Sequence, residues 1–534
     1  MRIFFILVTG LAVCVSSADG ITVAKSGGDY TTIMAGLAAA GPGDTVFVKA
    51  GTYSEFVKWP KSGTSGSGYI VLKAYGDGAA KIDGAGLTAT ENDAELLIID
   101  GKSYVAVIGM EICNGATASG NIFLKGIQVQ GASQHVMIKK CKVHDIATTN
   151  TTTDAGANAI GVFGTNGTTS ITDLLIDSCE VYNNKTGYSE AVSIDGNVDG
   201  FRVSYCYIHD NNNIGILIAG HYGESPSAAT DQARHGVICD NRVEHCSSCT
   251  NPSYAGDCSA DGIYSDGGGK SVFERNIVSG CDIGIEAGAE LAGAVDDSMV
   301  VRDNLIYNCK TGGMFIGGYA TGLGWTVHCS AENNTFYMND AGNSGSGEFL
   351  VQKSHDNIIR NNIFYTTSQK LAISNAFNST YCYNNTIDNN LFFSVSGGTG
   401  IDGINLDAHA KTGDPLFVNA GTDFHLKTGS PAIDACALAY APAQEELDLD
   451  GKTRKIDSAV DIGAYEYGTS IIRLLPVLHN TGLSKNTPRL VISMLPLKVS
   501  HVWVANGSQG IFLLNGRKAS TLIIGRAHDD FLIK

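Results

Sequence analysis

The sequence predicts an all-β fold, a parallel β-helix in which short strands stack coil upon coil into a solenoid. One repeated unit, seen for example at 238–243, places an asparagine at positions 241, 276, 304, 334, 362 and 390. A second unit interleaves with it and begins at Gly215, Gly262, Gly284 and Gly313. Strands this short cannot bury an apolar face alone, and equivalent strands lie a whole repeat apart, which favours parallel stacking over hairpins.

The chain begins with Met1-Arg2 and an apolar stretch that continues to Val15, followed by small residues at Ser16 and Ala18. This pattern is typical of a signal peptide, which we expect to cover residues 1–18 and to direct export. Because the stretch is short for a membrane span, we expect a secreted or cell-surface protein without one. Cys14 leaves a lipoprotein signal open as a weaker alternative.

Residues 19–467 are expected to form the β-helix domain. Residues 30–40 have helical spacing, and the turn residues at 41–44 end this helix ahead of a strand at 45–48. A helix there would cap the open end of the coil stack and cover its apolar cross-section. From about residue 468 the asparagine and glycine rhythm stops and apolar runs such as 510–514 appear. We therefore expect residues 468–534 to form a separate small β module.

The recurring asparagines predict a ladder at one corner of the coils. Their side-chain amides can hydrogen-bond from coil to coil, and asparagine tolerates the left-handed backbone that a sharp corner needs. Cysteine takes the same place in earlier repeats, at positions 141, 179 and 206, and most of the 14 cysteines are expected to be buried thiols. Cys249 and Cys258 flank an insertion and are the pair expected to form a disulfide. Cys246 and Cys249 have no second pair at zinc-finger spacing, so no structural zinc is expected.

Composition narrows the classes of partner. The net charge of −17 argues against binding to nucleic acid or to an acidic membrane surface. It also disfavours the binding of an anionic substrate unless a cation or a local basic patch offsets the repulsion. The chain has no GxxxxGK[ST] motif to cradle a phosphate, so no nucleotide is expected. We expect a monomer.

Several segments resemble those of known β-helix families. The entrance of pectate lyase-like β-helix proteins is similar to Asp29-Tyr30-Thr31-Thr32-Ile33, Pro42-Gly43-Asp44-Thr45-Val46 and Ala50-Gly51-Thr52-Tyr53. Residues 429–434 and 461–466 resemble a closing segment of exported bacterial β-helix proteins with C-terminal anchors. Residues 514–518 and 531–534 resemble the C-terminal sorting modules of some Gram-negative bacteria, which implies export or sorting machinery as a partner. The first resemblance implies a right-handed helix and a polysaccharide substrate, with lyase activity more frequent than hydrolysis.

The strands that begin with Gly-Ile carry a face rich in carboxylates. When these strands are aligned by repeat, their outward positions fall into columns that run across the coils. The columns hold acidic residues and one histidine: Glu190, Asp195, His221, Asp261, Asp266, Glu286 and Glu290. Adjacent coils lie about 4.8 Å apart, so Asp266 and Glu286 can reach one ligand. Clustered carboxylates repel each other unless a cation binds or one stays protonated, and functional sites use both outcomes.

Aromatic residues and two insertions border this acidic face. The residues expected to stack on sugar rings are Tyr254, Tyr264, Phe315 and Tyr319. The insertions, at 223–234 and 247–259, lengthen two consecutive turns, and long turns on a rigid scaffold are where binding residues concentrate. They supply Asp231 and Arg234, with Lys270 close behind.

Two reactions compete for this face. In a lyase, Ca²⁺ would neutralise a uronate carboxylate while His221, Arg234 or Lys270 removes the α-proton. The expected calcium ligands are Asp195, Asp261, Asp266 and Glu286. In a glycoside hydrolase, two of Asp266, Glu286 and Glu290 would act as acid and as base or nucleophile. We expect the lyase first, on a pectin-like polysaccharide, and a surface protein that only binds glycans is the third alternative.

Overall fold

Successive coils of the chain contribute strands to three long parallel sheets that enclose one apolar core. The computed structural model describes residues 20–468 apart from 153–154, 367–370, 396–407, 437–439, 441, 443–445 and 455–458, together with the backbone of 502–503, 510–515, 518–527 and 530–533. The predicted signal peptide lies outside the described residues. The parallel β-helix predicted from the repeats is confirmed.

The first sheet has thirteen strands: Ile21–Val23, Thr45–Val48, Ile70–Ala74, Val105–Ile108, Gln134–Lys139, Thr172–Asp177, Phe201–Ser204, Val237–Cys239, Val272–Glu274, Val300–Arg302, Ser330–Glu332, Ile358–Arg360 and Thr386–Asp388. The second sheet also has thirteen: Gly51–Tyr53, Ala80–Asp83, Glu111–Cys113, Lys142–His144, Glu180–Tyr182, Tyr207–His209, Arg242–Glu244, Ile277–Ser279, Leu305–Tyr307, Thr335–Tyr337, Ile363–Thr366, Leu391–Ser394 and Lys411–Thr412.

The third sheet has eleven strands: Val57–Lys58, Glu95–Asp100, Leu124–Gln130, Ala157–Gly164, Val192–Gly196, Ile216–Ala219, Asp261–Asp266, Ile283–Gly288, Gly312–Ile316, Phe349–Val351 and Ile373–Asn375. Two smaller parallel sheets pair Ala116–Thr117 with Ala147–Thr148, and join Val295–Asp297, Trp325–Val327, Ser354–His355 and Cys382–Tyr383. Phe417–Asn419 and Asp423–Leu426 form an antiparallel pair, and a 3₁₀ turn covers Pro252–Tyr254.

Apolar side chains stack through the core in register from coil to coil. Ile238 pairs with Phe273, and Phe273 with Val301, and each of the three is at most 1% exposed. Full burial of such a side chain contributes about 1.5–3 kcal/mol, so the repeated strand alternation is the main stabilising pattern. The core is therefore formed by the stacked coils together, since successive coils each contribute side chains to it.

The predicted asparagine ladder is confirmed. Each Nδ2 from Asn241 onward donates to the Oδ1 of the next ladder asparagine, at 2.9–3.0 Å, as far as Asn390. The expected place of the left-handed backbone is wrong by one residue, because the residue before each ladder asparagine takes it, as in Asp240 and Asp303, each at φ 58°. The preceding residue makes the corner, which leaves the asparagine side chain free to point along the stack.

The predicted cap is a short helix, α1, at Ile33–Ala39. Thr32 begins it, since its side-chain hydroxyl accepts a hydrogen bond from the backbone N–H of Ala35. The carboxylate of Glu55 accepts from the N–H groups of Ile33 and Met34 at 2.7 and 3.1 Å. Ile33 and Leu37 are buried against the first coil, so the helix covers the apolar end as expected.

The cysteine predictions are also confirmed. Of the eleven free cysteines among the described residues, ten are buried. Cys249 and Cys258 form a disulfide that closes the insertion between them.

The described residues between 413 and 467, here called the closing segment, cover the last strands of the second sheet. Tyr337 and Tyr365 pack there against Phe417 and Phe424. Arg454 is the largest fully buried side chain, and its Nε lies 3.3 Å from Asp303 Oδ1. Breaking such a buried ion pair costs about 3–5 kcal/mol, so Arg454 fastens the segment to the coils.

The chain divides into two compact units, Met1–Gly468 and Thr469–Lys534. The described backbone of the second unit forms four antiparallel strands, Val502–Trp503, Gly510–Asn515, Lys518–Ala527 and Asp530–Ile533. None of the helices in the described ranges has the length and apolar character to cross a bilayer.

Candidate active site

Five neighbouring strands of the third sheet carry the predicted carboxylate face, with the register that the repeats indicate. Leu217 pairs with Tyr264, Tyr264 with Glu286, and Glu286 with Phe315. Leu217 and Tyr264 belong to an apolar cluster separate from the core, so these positions face outward from the coils. They are not open to solvent, however, since Asp266 is only 6% and Glu286 only 7% exposed.

Asp266 occupies the centre of the site. The hydroxyl of Tyr222 donates to its Oδ2, and the backbone N–H of Glu290 donates to its Oδ1 at 2.8 Å. Burial raises the pKa of Asp266, and these two hydrogen bonds and the nearby His221 oppose that rise. The carboxylate is therefore fixed in place by donors that stabilise its ionised form.

Two further carboxyl groups interact electrostatically with Asp266. Loss of hydration raises the pKa of Glu290 to about 7, the charge of Asp266 adds to the rise, and the Tyr264 hydroxyl opposes it from 3.3 Å. Burial likewise raises the pKa of Glu190 to about 7, while Ser193 Oγ donates to its Oε2 at 2.7 Å. Near neutral pH each of these groups can either hold or release a proton, as general acids and bases require.

A second acid pair lies behind this group. Asp261 and Glu286 are both buried and hydrogen-bonded to each other, and burial together with neighbouring charge raises the pKa of each well above its usual value. Two buried carboxylates in contact cannot both ionise cheaply. The pair therefore holds a proton between its two members.

Exposed tyrosines lie beside Glu190, Asp266 and Glu290, and this surface is here called the cleft. Tyr188, Tyr222 and Tyr319 are all more than 40% exposed. The ring of Tyr254 stacks on Tyr188 with centroids 4.8 Å apart, and Asn213 Nδ2 donates to the Tyr254 hydroxyl at 3.0 Å. The expected roles of Tyr254 and Tyr319 stay open, whereas Tyr264 and Phe315 are buried and have no ring face to offer a sugar.

Both insertions are held rigidly over the sheet. In the first, Asp231 accepts from the N–H groups of Gly223 and Ser225 at 2.6 and 2.8 Å. In the second, the Asp282 carboxylate accepts from Ser248 N at 2.8 Å and from Ala260 N at 3.1 Å. With the disulfide, these contacts fix the backbone that presents the cleft tyrosines.

Arg234, predicted as a catalytic base, forms an ion pair and hydrogen bonds with other residues of the chain. Its guanidinium pairs with Asp199 and donates to Asn197 Oδ1 at 3.1 Å. It also donates to the carbonyl oxygen of Gln232 at 2.9 Å. The structure therefore joins Arg234 to the base of the first insertion and not to the carboxylate group.

His221 and Lys270 line a pocket of about 440 Å³ beside the cleft. His328, Gln232 and Asp297 complete its polar lining. His221 also lies close enough to Asp266 to lower the pKa of that carboxyl. Lys270 and two histidines thus line this pocket together with Asp297.

The four carboxylates predicted to bind Ca²⁺ do not form one donor set. Over the described ranges, the triads whose ligating atoms lie within 4.8 Å of one another involve other residues. Asp195 accepts from Gly196 N at 2.6 Å, and its pKa rises to about 7 through burial and then through nearby acidic charge. Both oxygens of Asp266 already have donors. Because Ca²⁺ takes about six to eight oxygen ligands, these residues do not fit a calcium site.

Sequence reasoning missed Tyr188 and Tyr222. Tyr222 directly follows His221 at the start of an insertion, and Tyr188 stands two residues before Glu190. Their positions next to the predicted acidic face and beside a long turn were the signal that could have identified them.

Comparison with known proteins gives one family match and distant structural similarities. The family model described as "Right handed beta helix region" matches residues 107–321 and 257–421. The uncharacterized protein YwoF of Bacillus subtilis (strain 168) is 31% identical over 345 residues, which are 63% of this chain and 72% of YwoF.

Two solved structures illustrate the structural similarity. GH136 lacto-N-biosidase from Eubacterium ramulus has a TM-score of 0.47 at 13% identity, over 67% of this chain and 64% of the enzyme, less than two thirds of its length. Pectate lyase Pel9A has a TM-score of 0.42 at 13% identity, over 84% of this chain and 96% of that one.

Proposed function

The chain belongs to the family of right-handed β-helix proteins, and we propose that it is an exported enzyme that hydrolyses an acidic polysaccharide. The observation that carries the proposal is the cleft formed by Glu190, Asp266 and Glu290 under exposed tyrosines. Three carboxyl groups with different hydrogen-bond environments supply the acid and the base of glycoside hydrolysis.

Glu290 is the group we assign as general acid. It is exposed at the rim of the cleft, and its pKa of about 7 keeps it largely protonated in mildly acidic solution. In this role it donates its proton to the glycosidic oxygen as the bond to the sugar carbon breaks.

Asp266 is the group we assign as base or nucleophile. Tyr222 and the N–H of Glu290 hold its carboxylate ionised and immobile, as that role requires. It either takes a proton from the attacking water or attacks the sugar carbon itself, and the configuration of the product distinguishes the two.

The pocket beside the cleft supports an acidic substrate. The chain carries a net charge of −17, so an anionic polymer needs local cations to approach. Lys270 supplies one in the pocket, and His221 and His328 add imidazole groups to the same lining. The exposed rings of Tyr188 and Tyr319 offer the apolar faces on which sugar rings stack.

β-Elimination is the second candidate. His221 and Lys270 line one pocket, His221 lies near Asp266, and either side chain could act as the base that removes the α-proton of a uronate. We rank it below hydrolysis because the carboxylates expected to bind the assisting cation do not come together.

The test is product analysis with the purified chain and a panel of pectate, pectin, alginate and other uronate polymers. We expect new reducing ends without the ultraviolet absorbance of an unsaturated product. Asp266→Asn and Glu290→Gln should each lower this activity by at least about 100-fold, while Asp257→Asn, an exposed acid in the second insertion, should retain it. Absorbance growing with the reducing ends would replace hydrolysis by elimination, and binding without either product would make the chain a glycan-binding protein.

A further inference from the structure

A cluster of three metal-binding side chains lies on the second sheet, outside the candidate active site. Glu111 and Cys113 belong to one strand, and His144 belongs to the paired strand of the next coil, where it stands opposite Cys113. One ligating atom from each residue, a carboxylate oxygen, Sγ and an imidazole nitrogen, lies within 4.8 Å of the other two. All three side chains point away from the core, since Ile112 and Val143 between them point inward.

The hydrogen bonding of His144 suits metal binding. Its Nδ1 lies 2.6 Å from Asp145 Oδ2, and in the tautomer with the proton on Nδ1 this contact is a hydrogen bond and the lone pair of Nε2 is available to a metal. Nε2 points at Glu111 Oε1 from 3.3 Å. Electron-pair donors on His144, Glu111 and Cys113 therefore converge, and a bound cation satisfies all three.

The same sheet contains a natural comparison two coils further along. His209 repeats the arrangement, with Nδ1 2.7 Å from Asp210 and Nε2 3.7 Å from Glu180. The position that corresponds to Cys113 is Tyr182 in this copy, as the strand register shows. The first copy thus differs by having a thiol where the second has a phenol.

We infer that Glu111, Cys113 and His144 bind a divalent transition metal, with Zn²⁺ the ion that this donor set suits best. Zn²⁺ takes thiolate, imidazole and carboxylate ligands in tetrahedral geometry, with water available for the fourth position. Because the ligands come from successive coils, the metal would join the coils in the N-terminal half of the stack. No local motif predicts the site, since 33 residues separate Glu111 from His144.

Lys81 is the competitor for this site. Its ammonium group pairs with Glu111 Oε1, the same oxygen that faces His144. A bound metal replaces that cation, so Lys81→Met should tighten metal binding. A purely structural ion pair predicts no gain in metal affinity from this change.

The experiment is a Co²⁺ titration of the full chain after treatment with chelator, followed by displacement with Zn²⁺. We expect one Co²⁺ per chain, with thiolate-to-cobalt absorption in the near ultraviolet that Zn²⁺ removes. Cys113→Ser should lose this absorption and weaken Zn²⁺ binding by at least about 100-fold, and Asp145→Ala should weaken it by about 10–100-fold. Asp210→Ala, the matched control from the second copy, should bind as the parent does.

Absence of bound Co²⁺, or Cys113→Ser with the parent's spectrum and affinity, would overturn the inference. His144→Gln provides a second variant, and circular dichroism of each variant before titration shows that the coils are intact. A variant that is folded and has lost the absorption supports the site.

Discussion

Asn304→Ala should strongly destabilise the coil stack, because the Asn304 side chain makes four buried hydrogen bonds. Its Nδ2 donates to Phe273 O and to Asn334 Oδ1, and its Oδ1 accepts from the backbone N–H and from Nδ2 of Asn276. Asn304 and Asn276 are completely buried, so water does not replace the missing partner without a cavity.

The size of the destabilisation follows from the hydrogen-bonding groups that lose a partner when the Asn304 side chain is removed. The backbone N–H of Asn276 loses its hydrogen-bond partner, at about 1–3 kcal/mol, and three other groups each lose one of several partners. The sum is a loss of about 3–5 kcal/mol in the free energy of unfolding, which places the change among the severe ones. Asn378→Ala is the control, since Asn378 is exposed and its side-chain oxygen accepts from the N–H of Thr380 at 2.9 Å, and we expect a loss of less than about 1 kcal/mol.

The assay is urea unfolding followed by circular dichroism, with hydrogen exchange of the strand amides at 272–274 and 300–302. Asn304→Ala should unfold at clearly lower urea and exchange faster in those strands, while Asn378→Ala should behave as the parent does. Equal midpoints for parent and Asn304→Ala would refute the assignment of the ladder as a stabilising element.

Three other predictions concern the cleft and its surroundings. Because the pKa of Glu290 is raised to about 7, activity should fall about tenfold per pH unit above that value, and Glu290→Gln should lower kcat by about 10²–10⁴-fold and remove this limb of the profile. Replacing Cys249 and Cys258 by serine should raise KM by about tenfold with little change in kcat, since the loop that presents Tyr254 loses its closure; unchanged KM would separate the loop from binding. Burial raises the pKa of Glu348 to about 8 from an ordinary 4.5, so the folded chain keeps this proton to a higher pH than the unfolded chain does. The midpoint temperature of thermal unfolding should therefore decrease as the pH rises from about 4.5 to about 8, and it should decrease less steeply in Glu348→Gln.

The sequence was sufficient for the fold because the relevant signals are repeated. An asparagine that recurs every coil, as Asn276 and Asn304 do, reports a position common to all coils, and its environment is set by identical neighbours above and below. The cap helix follows from local spacing. The left-handed corner was misplaced by one residue because Asn-Asn pairs such as Asn361-Asn362 do not reveal which member turns the chain.

The site was only partly predictable, for a related reason. Column alignment placed Tyr264 opposite Glu286 correctly, since the strand register continues the repeat. The insertions interrupt the repeat, and their paths decide burial and pairing. Arg234 therefore turned out to bind Asp199, and Tyr222 turned out to donate to Asp266, neither of which a repeat pattern encodes.

The most direct test of the central claim is hydrolysis of an acidic polysaccharide in H₂¹⁸O, with mass analysis of the products. We predict one ¹⁸O atom at each new reducing end with the parent chain, and at least about 100-fold fewer new ends with Asp266→Asn or Glu290→Gln. Unlabelled, unsaturated products that absorb in the ultraviolet would contradict it, because elimination breaks the bond between the bridging oxygen and C4 of the uronate and adds no water.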